Sequence, residues 1–233
     1  MTEQLETIKS KIEQLKTLDR SFTLFGSHNH KYKLNPKLSE KQVREFELVH
    51  NVTLPNGYVD FLTNIGNGGV GPFYGLEPLE NTLYTDLDYK RTDSLLNPSE
   101  PFPHTQSWNL EFQPTVEEDV DDEEYYSQLT EFEEKYYDNQ QMDGAIAICN
   151  CGCAISLNLI VNGQEYGNVW TDDRASNKGI YPSQELGNKD KIAFLDWYEL
   201  WLDNSLNEIK NRKLSAGTET KVDLVNRPWW KIW

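Results

Sequence analysis

Residues 54–79, LPNGYVDFLTNIGNGGVGPFYGLEPL, constrain this chain more than any other stretch, because residues that tolerate positive φ separate two apolar segments. Pro55 fits the first turn of a helix, where its missing N–H costs nothing, and Tyr58, Phe61, Leu62 and Ile65 then share one face. That face is predicted to be core. Gly66, Asn67, Gly68 and Gly69 end the helix and turn the chain into Phe73-Tyr74-Gly75-Leu76, a predicted strand whose run to Leu79 joins the main sheet. Helix, turn and strand read as one unit on which the rest must pack.

Other elements follow from periodicity. Leu5, Ile8, Ile12, Leu15 and Leu18 form one stripe of an N-terminal helix, and Ser39 with Gln42 makes a capping box for a helix through His50 with Val43, Phe46 and Val49 inward. Gly26 to Pro36 is a loop whose histidines, His28 and His30, are expected to be exposed, since no third metal ligand is recognisable beside them. Leu83 to Pro114 is rich in Asn, Ser, Thr and Pro, yet Phe102, Trp108, Leu110 and Phe112 should pin it to the body. Ala145 to Cys149, Ala154 to Val161 and Gly167 to Trp170 read as strands, with a turn at Asn162-Gly163. Phe194, Trp197, Tyr198, Trp201, Leu202, Leu206 and Ile209 line the core face of a last helix, with Asp196 and Glu199 on its polar side. Lys210 to Thr220 is polar and expected to be mobile, and three tryptophans among basic residues end the chain within 227–233. That tail, 211–233, is expected to dock on the body rather than present its rings to a partner.

Two separated blocks carry a family resemblance. Glu45, Leu54-Pro55, Tyr58, Phe61-Leu62 and Asn67-Gly68-Gly69 resemble the opening motif of the SUKH superfamily, the Smi/Knr-like proteins named after a fungal cell-wall assembly regulator. The second block runs from Gly152-Cys153 through Leu157 to Val161, Asn162-Gly163, Gly167-Asn168-Val169-Trp170, Asp172-Asp173-Arg174 and Gly179-Ile180 to Phe194-Leu195-Asp196-Trp197-Tyr198. Both lie in the right order and together cover most of residues 39 to 205. Leu54, Pro55, Tyr58, Asn67, Gly68, Gly69 and Trp170 are expected to be structural members of this motif. The predicted fold class is α+β, a central, mostly antiparallel sheet flanked by helices, in a single SUKH-like domain over 1–233. Many bacterial members of the superfamily are immunity proteins of polymorphic toxin systems, so the resemblance implies a protein that binds a cognate toxin.

Charge narrows the partner. The chain carries a formal −16, of which −11 falls between Glu117 and Asp143, where twelve acids face one base, Lys135. Nucleic acid and anionic membrane are poor partners for such a chain, and a basic protein is a good one. Within this insertion, 114–143, Tyr125 or Tyr126, Leu129, Phe132 and Tyr136 recur at helical spacing, which predicts a helix docked by one face with carboxylates outward. A run of charge is often only a solvated face. Against that, acids within a Debye length of ~8 Å repel one another at a cost to stability, while adjoining tyrosines supply interface anchors. The candidate partner-binding residues are therefore Glu117, Glu118, Asp121, Asp122, Glu123, Glu124, Tyr125 and Tyr126, with Asp172 and Asp173 as a second rim.

Chemistry other than binding finds little support. Cys149, Cys151 and Cys153 would lie on one face of a strand, but a zinc site needs a second knuckle, so small buried thiols are expected and neither metal nor cofactor. No G-x-S-x-G, H-E-x-x-H or P-loop occurs, and Asp172-Asp173-Arg174 reads equally as a turn with an internal ion pair. Residues 1 to 25 lack a signal-peptide apolar stretch and the cysteines suit a reducing compartment, so a cytoplasmic, non-enzymatic protein is expected. The leading expectation is a toxin-neutralising immunity protein, acting on a nuclease with a basic cleft. The rivals are a regulatory scaffold like the fungal members and, behind it, an enzyme acting on a cationic substrate.

Overall fold

In the computed structural model, which describes residues 3–225 except Asp93 and side chains as far as Leu214, the strands β1 (Ala145–Gly152), β2 (Ile155–Ile160), β3 (Val169–Asp173) and β4 (Gly179–Pro182) form one antiparallel sheet in that order. Among the described residues six helices accompany it: α1 (Glu3–Leu18), the one-turn α2 (Ser27–His30), α3 (Glu40–His50), α4 (Asn56–Asn64), α5 (Asp122–Tyr136) and α6 (Phe194–Val225). The chain is thus α+β, as its sequence predicts.

Both faces of the sheet are buried, which is why its strands are nearly continuous apolar runs. Ile146, Ile148, Leu157, Leu159 and Val169 meet α1, α4 and α6 on one face, where Leu5, Phe61, Leu62 and Trp197 complete the main core. Ala145, Ala147, Ile160, Trp170 and Ile180 turn to the other face and are covered by the long connection through Leu87, Leu96 and Phe102. Phe102 meets Trp170 edge-on at 5.0 Å. That connection is pinned as expected, although Leu110 is exposed.

The 54–79 unit holds its predicted core, with Tyr58, Phe61, Leu62 and Ile65 all buried. Pro55 stands one place earlier than expected, at the N-cap of α4. Gly69 has φ +98° and a Cβ there would sit 2.4 Å from the Lys33 carbonyl oxygen, so only glycine fits. The strand expected over 73–79 does not form. Pro72 and Pro78 carry no N–H and Gly75 sits at φ +105°, leaving two isolated bridges at Leu76, to Gly69 and to Cys149, and a 3₁₀ turn at Leu79–Asn81.

Even so, this irregular segment lies along the outer side of β1. Glu77 N–H donates to the Ile148 carbonyl at 2.9 Å, and the Ala147 N–H is taken by the Thr82 carbonyl at 2.7 Å. On the far side, Trp108 and Ile180 exchange both backbone hydrogen bonds at 2.8 Å, covering β4. No sequence pattern predicted β4 as a strand.

Further departures have local causes. Val49 is 75% exposed because α3 buries only Val43 fully and half-buries Phe46. His30 is buried, edge-on to Trp201 at 6.2 Å and accepting the Tyr32 N–H at Nδ1, so it is not an exposed loop histidine. Burial holds its pKa down at about 4, against a smaller opposing pull from Asp19. Cys149 and Cys151 share the core face, and Cys153 leaves it in the turn. Bulges near Cys149 and Gly152, and left-handed Gly152, Cys153 and Ala154, leave Cys149 buried, Cys151 half-buried and Cys153 exposed, all as free thiols. Residues 210–220, expected to be mobile, continue α6 as helix. The tryptophans of 227–233 lie outside the described residues.

Candidate partner interface

Helix α5 starts where its sequence says it should. Asp121 caps it, its carboxylate accepting the Glu124 N–H at 3.1 Å, and Asp122, Glu123 and Glu124 fill the first turn, where the helix dipole favours negative charge. The approach to the helix is tied back on it. Gln128 accepts the Thr115 N–H at 2.8 Å and donates to the Glu124 carboxylate at 2.7 Å, while the Tyr126 hydroxyl bonds the Glu118 carboxylate. That carboxylate raises the pKa of the Tyr126 phenol.

The docked face is aromatic, but it meets a loop rather than the sheet. Phe112 packs on Tyr125 and Phe132, each at 5.4 Å, Phe132 stacks on Tyr136 at 5.2 Å, and Tyr136 stacks on Trp108 at 5.6 Å. Only Tyr136 of the helix is fully buried, and its hydroxyl donates to Asn109 at 2.7 Å. Contact is therefore concentrated at the C-terminal end.

That end is clamped by Arg174. Its Nη1 donates to the carbonyls of Tyr136 and Asp138, both at 3.0 Å, while Nε and Nη2 grip Asp172 in a fork at 2.8 and 2.7 Å. A guanidinium on the last carbonyls of a helix suits the negative end of its dipole. The turn with an internal ion pair, one of two readings of Asp172-Asp173-Arg174, is thus present and does more than close a turn.

This geometry removes Asp172 and Asp173 from the proposed rim. Asp173 is buried, with Oδ2 3.0 Å from Lys178 Nζ and 3.3 Å from the Tyr181 hydroxyl. Burial, with Glu185 and Asp173 nearby, pushes the Tyr181 phenol upward. Asp172 is half-buried with both oxygens occupied by Arg174. The sequence places these carboxylates near each other and says nothing about depth.

The other candidates come together on one exposed stretch. Glu117, Glu118, Asp121, Asp122, Glu123, Glu124 and Tyr126 are all exposed, with Tyr125 half-buried against Phe112. Val120 lies among them at 74% exposure, and Tyr137 is exposed at the other end. Sequence reasoning missed Arg174 as the positioning group and Val120 as an apolar member of the patch. Arg174 bonds to backbone carbonyls, which leave no trace in a sequence, whereas a lone Val in an acidic run was visible. Among the described residues no group of three or more His, Cys, Asp and Glu is placed to hold a metal, and no helix is long and apolar enough to cross a membrane.

Against known proteins, the model of the SMI1/KNR4 family (SUKH-1) matches residues 37–185. No curated protein and no solved structure matches the chain.

Proposed function

This chain belongs to the SMI1/KNR4 family (SUKH-1), which includes immunity proteins of polymorphic toxin systems, and from that premise we propose that it binds one cognate protein toxin and blocks its active site with the acidic face around α5. The observation that carries this reading is a field of exposed carboxylates, Glu117 to Glu124, mounted on a helix whose far end Arg174 clamps to β3. Fixed charge of one sign steers a basic partner and speeds association, while Tyr125, Tyr126 and Val120 supply contact area that charge alone lacks. A nuclease, whose substrate cleft is basic, is the fitting class of toxin. The protein then acts in the cytoplasm by binding, without catalysis, and the insertion 114–143 is what adapts its scaffold to one toxin.

The direct experiment is co-expression with toxins of the producing strain. Rescue of growth by the wild-type chain is expected, and failure to neutralise any of them sinks the reading. Reversing Asp121, Asp122, Glu123 and Glu124 to lysine should slow association with the neutralised toxin by at least about tenfold and flatten its salt dependence. An unchanged rate moves the interface elsewhere.

A further inference from the structure

Beyond the opposite edge of the sheet from α5, four loops meet: 22–32, 72–77, 86–91 and the β1–β2 turn at 152–154. They are bound to one another. Asn150 Nδ2 donates to Asp88 Oδ1 at 2.6 Å, Lys90 Nζ reaches Glu77 at 2.8 Å, and the Phe25 ring lies 5.6 Å from that of Tyr74. Between them opens a hollow of about 540 Å³, whose walls include Asn29, Tyr74, Glu77, Asp88, Asn150 and Cys153. Two carboxylates and two side-chain amides face it, and among the described residues no cationic side chain lines it, Lys90 being held on Glu77.

Around this hollow the surface is unusually aromatic. Tyr74 is 41% exposed and Phe25, beside it, 66%, while Tyr89, next to Asp88 in the chain, is 74% exposed with the Arg91 guanidinium 5.8 Å from its ring centre. Exposed rings on neighbouring loops mark contact surface, because each leaves apolar area in water that burial would remove. The carboxylates are not equivalent. Glu77 is already paired with Lys90, whereas among the described residues Asp88 takes Asn150 on Oδ1 and has on Oδ2 only a 3.4 Å contact from the Ala154 N–H. One carboxylate therefore remains open to a strong donor.

We propose that this hollow receives an arginine side chain of a partner protein, its guanidinium donating to Asp88 and lying against the Tyr74 ring, while Phe25 and Tyr89 cover the residues flanking that arginine. Charge complementarity selects a cation. The planar guanidinium suits the place better than an ammonium, since it forks onto a carboxylate and stacks on an aromatic face at once. The flanking rings select a protein over a free amine, for a small cation would leave Phe25 and Tyr89 exposed. This surface is separate from the acidic helix, so its failure leaves the toxin-binding reading untouched.

The test uses the full chain, labelled with nitrogen-15 and titrated with acetyl-Leu-Arg-Leu-amide, with the same peptide carrying neutral citrulline, and with N-acetyl-arginine amide. Saturable amide shifts are expected at Gly75, Asn150 and Gly152, with a Kd on the order of 1 mM for the arginine peptide. Citrulline should bind at least about tenfold more weakly, and the arginine amide without flanks about threefold more weakly. Asp88→Asn, which retains an acceptor for Asn150, should abolish the preference for arginine over citrulline. Tyr89→Ala, at an exposed position, should weaken the peptide but not the flankless amide. Equal binding of arginine and citrulline, shifts centred on α5, or no saturation by about 10 mM would each overturn the proposal. Equal binding of the flankless amide would overturn its protein partner.

Discussion

Helices α5 and α6 show what two kinds of selection do to one type of element. Phe194, Trp197, Tyr198, Leu202, Leu206 and Ile209 of α6 are all buried, whereas α5 fully buries Tyr136 alone. Packing dictates the buried face of α6 from Phe194 to Ile209. On α5 and its approach, Asp121 caps the helix and Glu118 and Glu124 take local hydrogen bonds, but packing does not dictate the density of exposed acids around them, which is the feature the proposed interface uses.

Substitutions should separate the two helices by size of effect. Trp197→Ala, in the main core, is expected to lower the unfolding free energy by about 3–5 kcal/mol in denaturant titration. A loss under about 1 kcal/mol would mean that α6 is less central than its burial implies. Arg174→Ala leaves Asp172 unpaired and two carbonyls without their donor, at a cost of about 3 kcal/mol at most. Its signature is local. Amide exchange should quicken across 122–136 while α6 stays protected, and equal loss in both would show that α5 does not open independently.

The α6 side should also carry a pH response. Because burial against Trp201 depresses the His30 pKa to about 4, the folded protein favours neutral imidazole. That contribution to stability is fully present above the unfolded pKa of about 6.5 and is lost as pH falls through about 4. His30→Phe should remove this slope from the thermal midpoint between those pH values, and a slope unchanged in the variant would assign it to other groups. Smallest of all, Glu131→Gln, Glu133→Gln and Glu134→Gln together should shift stability by less than about 1 kcal/mol, since all three are exposed. A larger loss would make those acids part of the fold.

Legibility in the sequence follows the same division. Stripes that bury one face, as in α1, α4 and α6, were readable because helical period and burial coincide. The capping box of Ser39 and Gln42 is present as spelled out, with Ser39 N–H donating to Gln42 Oε1 at 3.0 Å. What was not readable depended on distant partners. Four residues from Gly179 to Pro182, with Gly and Pro at the ends, become a strand only because β3 lies beside them. At the candidate interface, composition located the acids and their helix, while the depth of Asp173 and the reach of Arg174 needed coordinates.

The covered edges of the sheet carry a last consequence. Outside β4, the Ile180 N–H is already bonded to Trp108 and Pro182 has none to offer, while outside β1 the 74–82 segment occupies the ladder positions. Among the described residues, neither edge of this sheet therefore offers a template for an added strand. In the proposed complex, side chains do the recognising, which ties specificity to residues that can change without altering the hydrogen-bonded frame. The same blunted edges guard against chain-to-chain sheet growth.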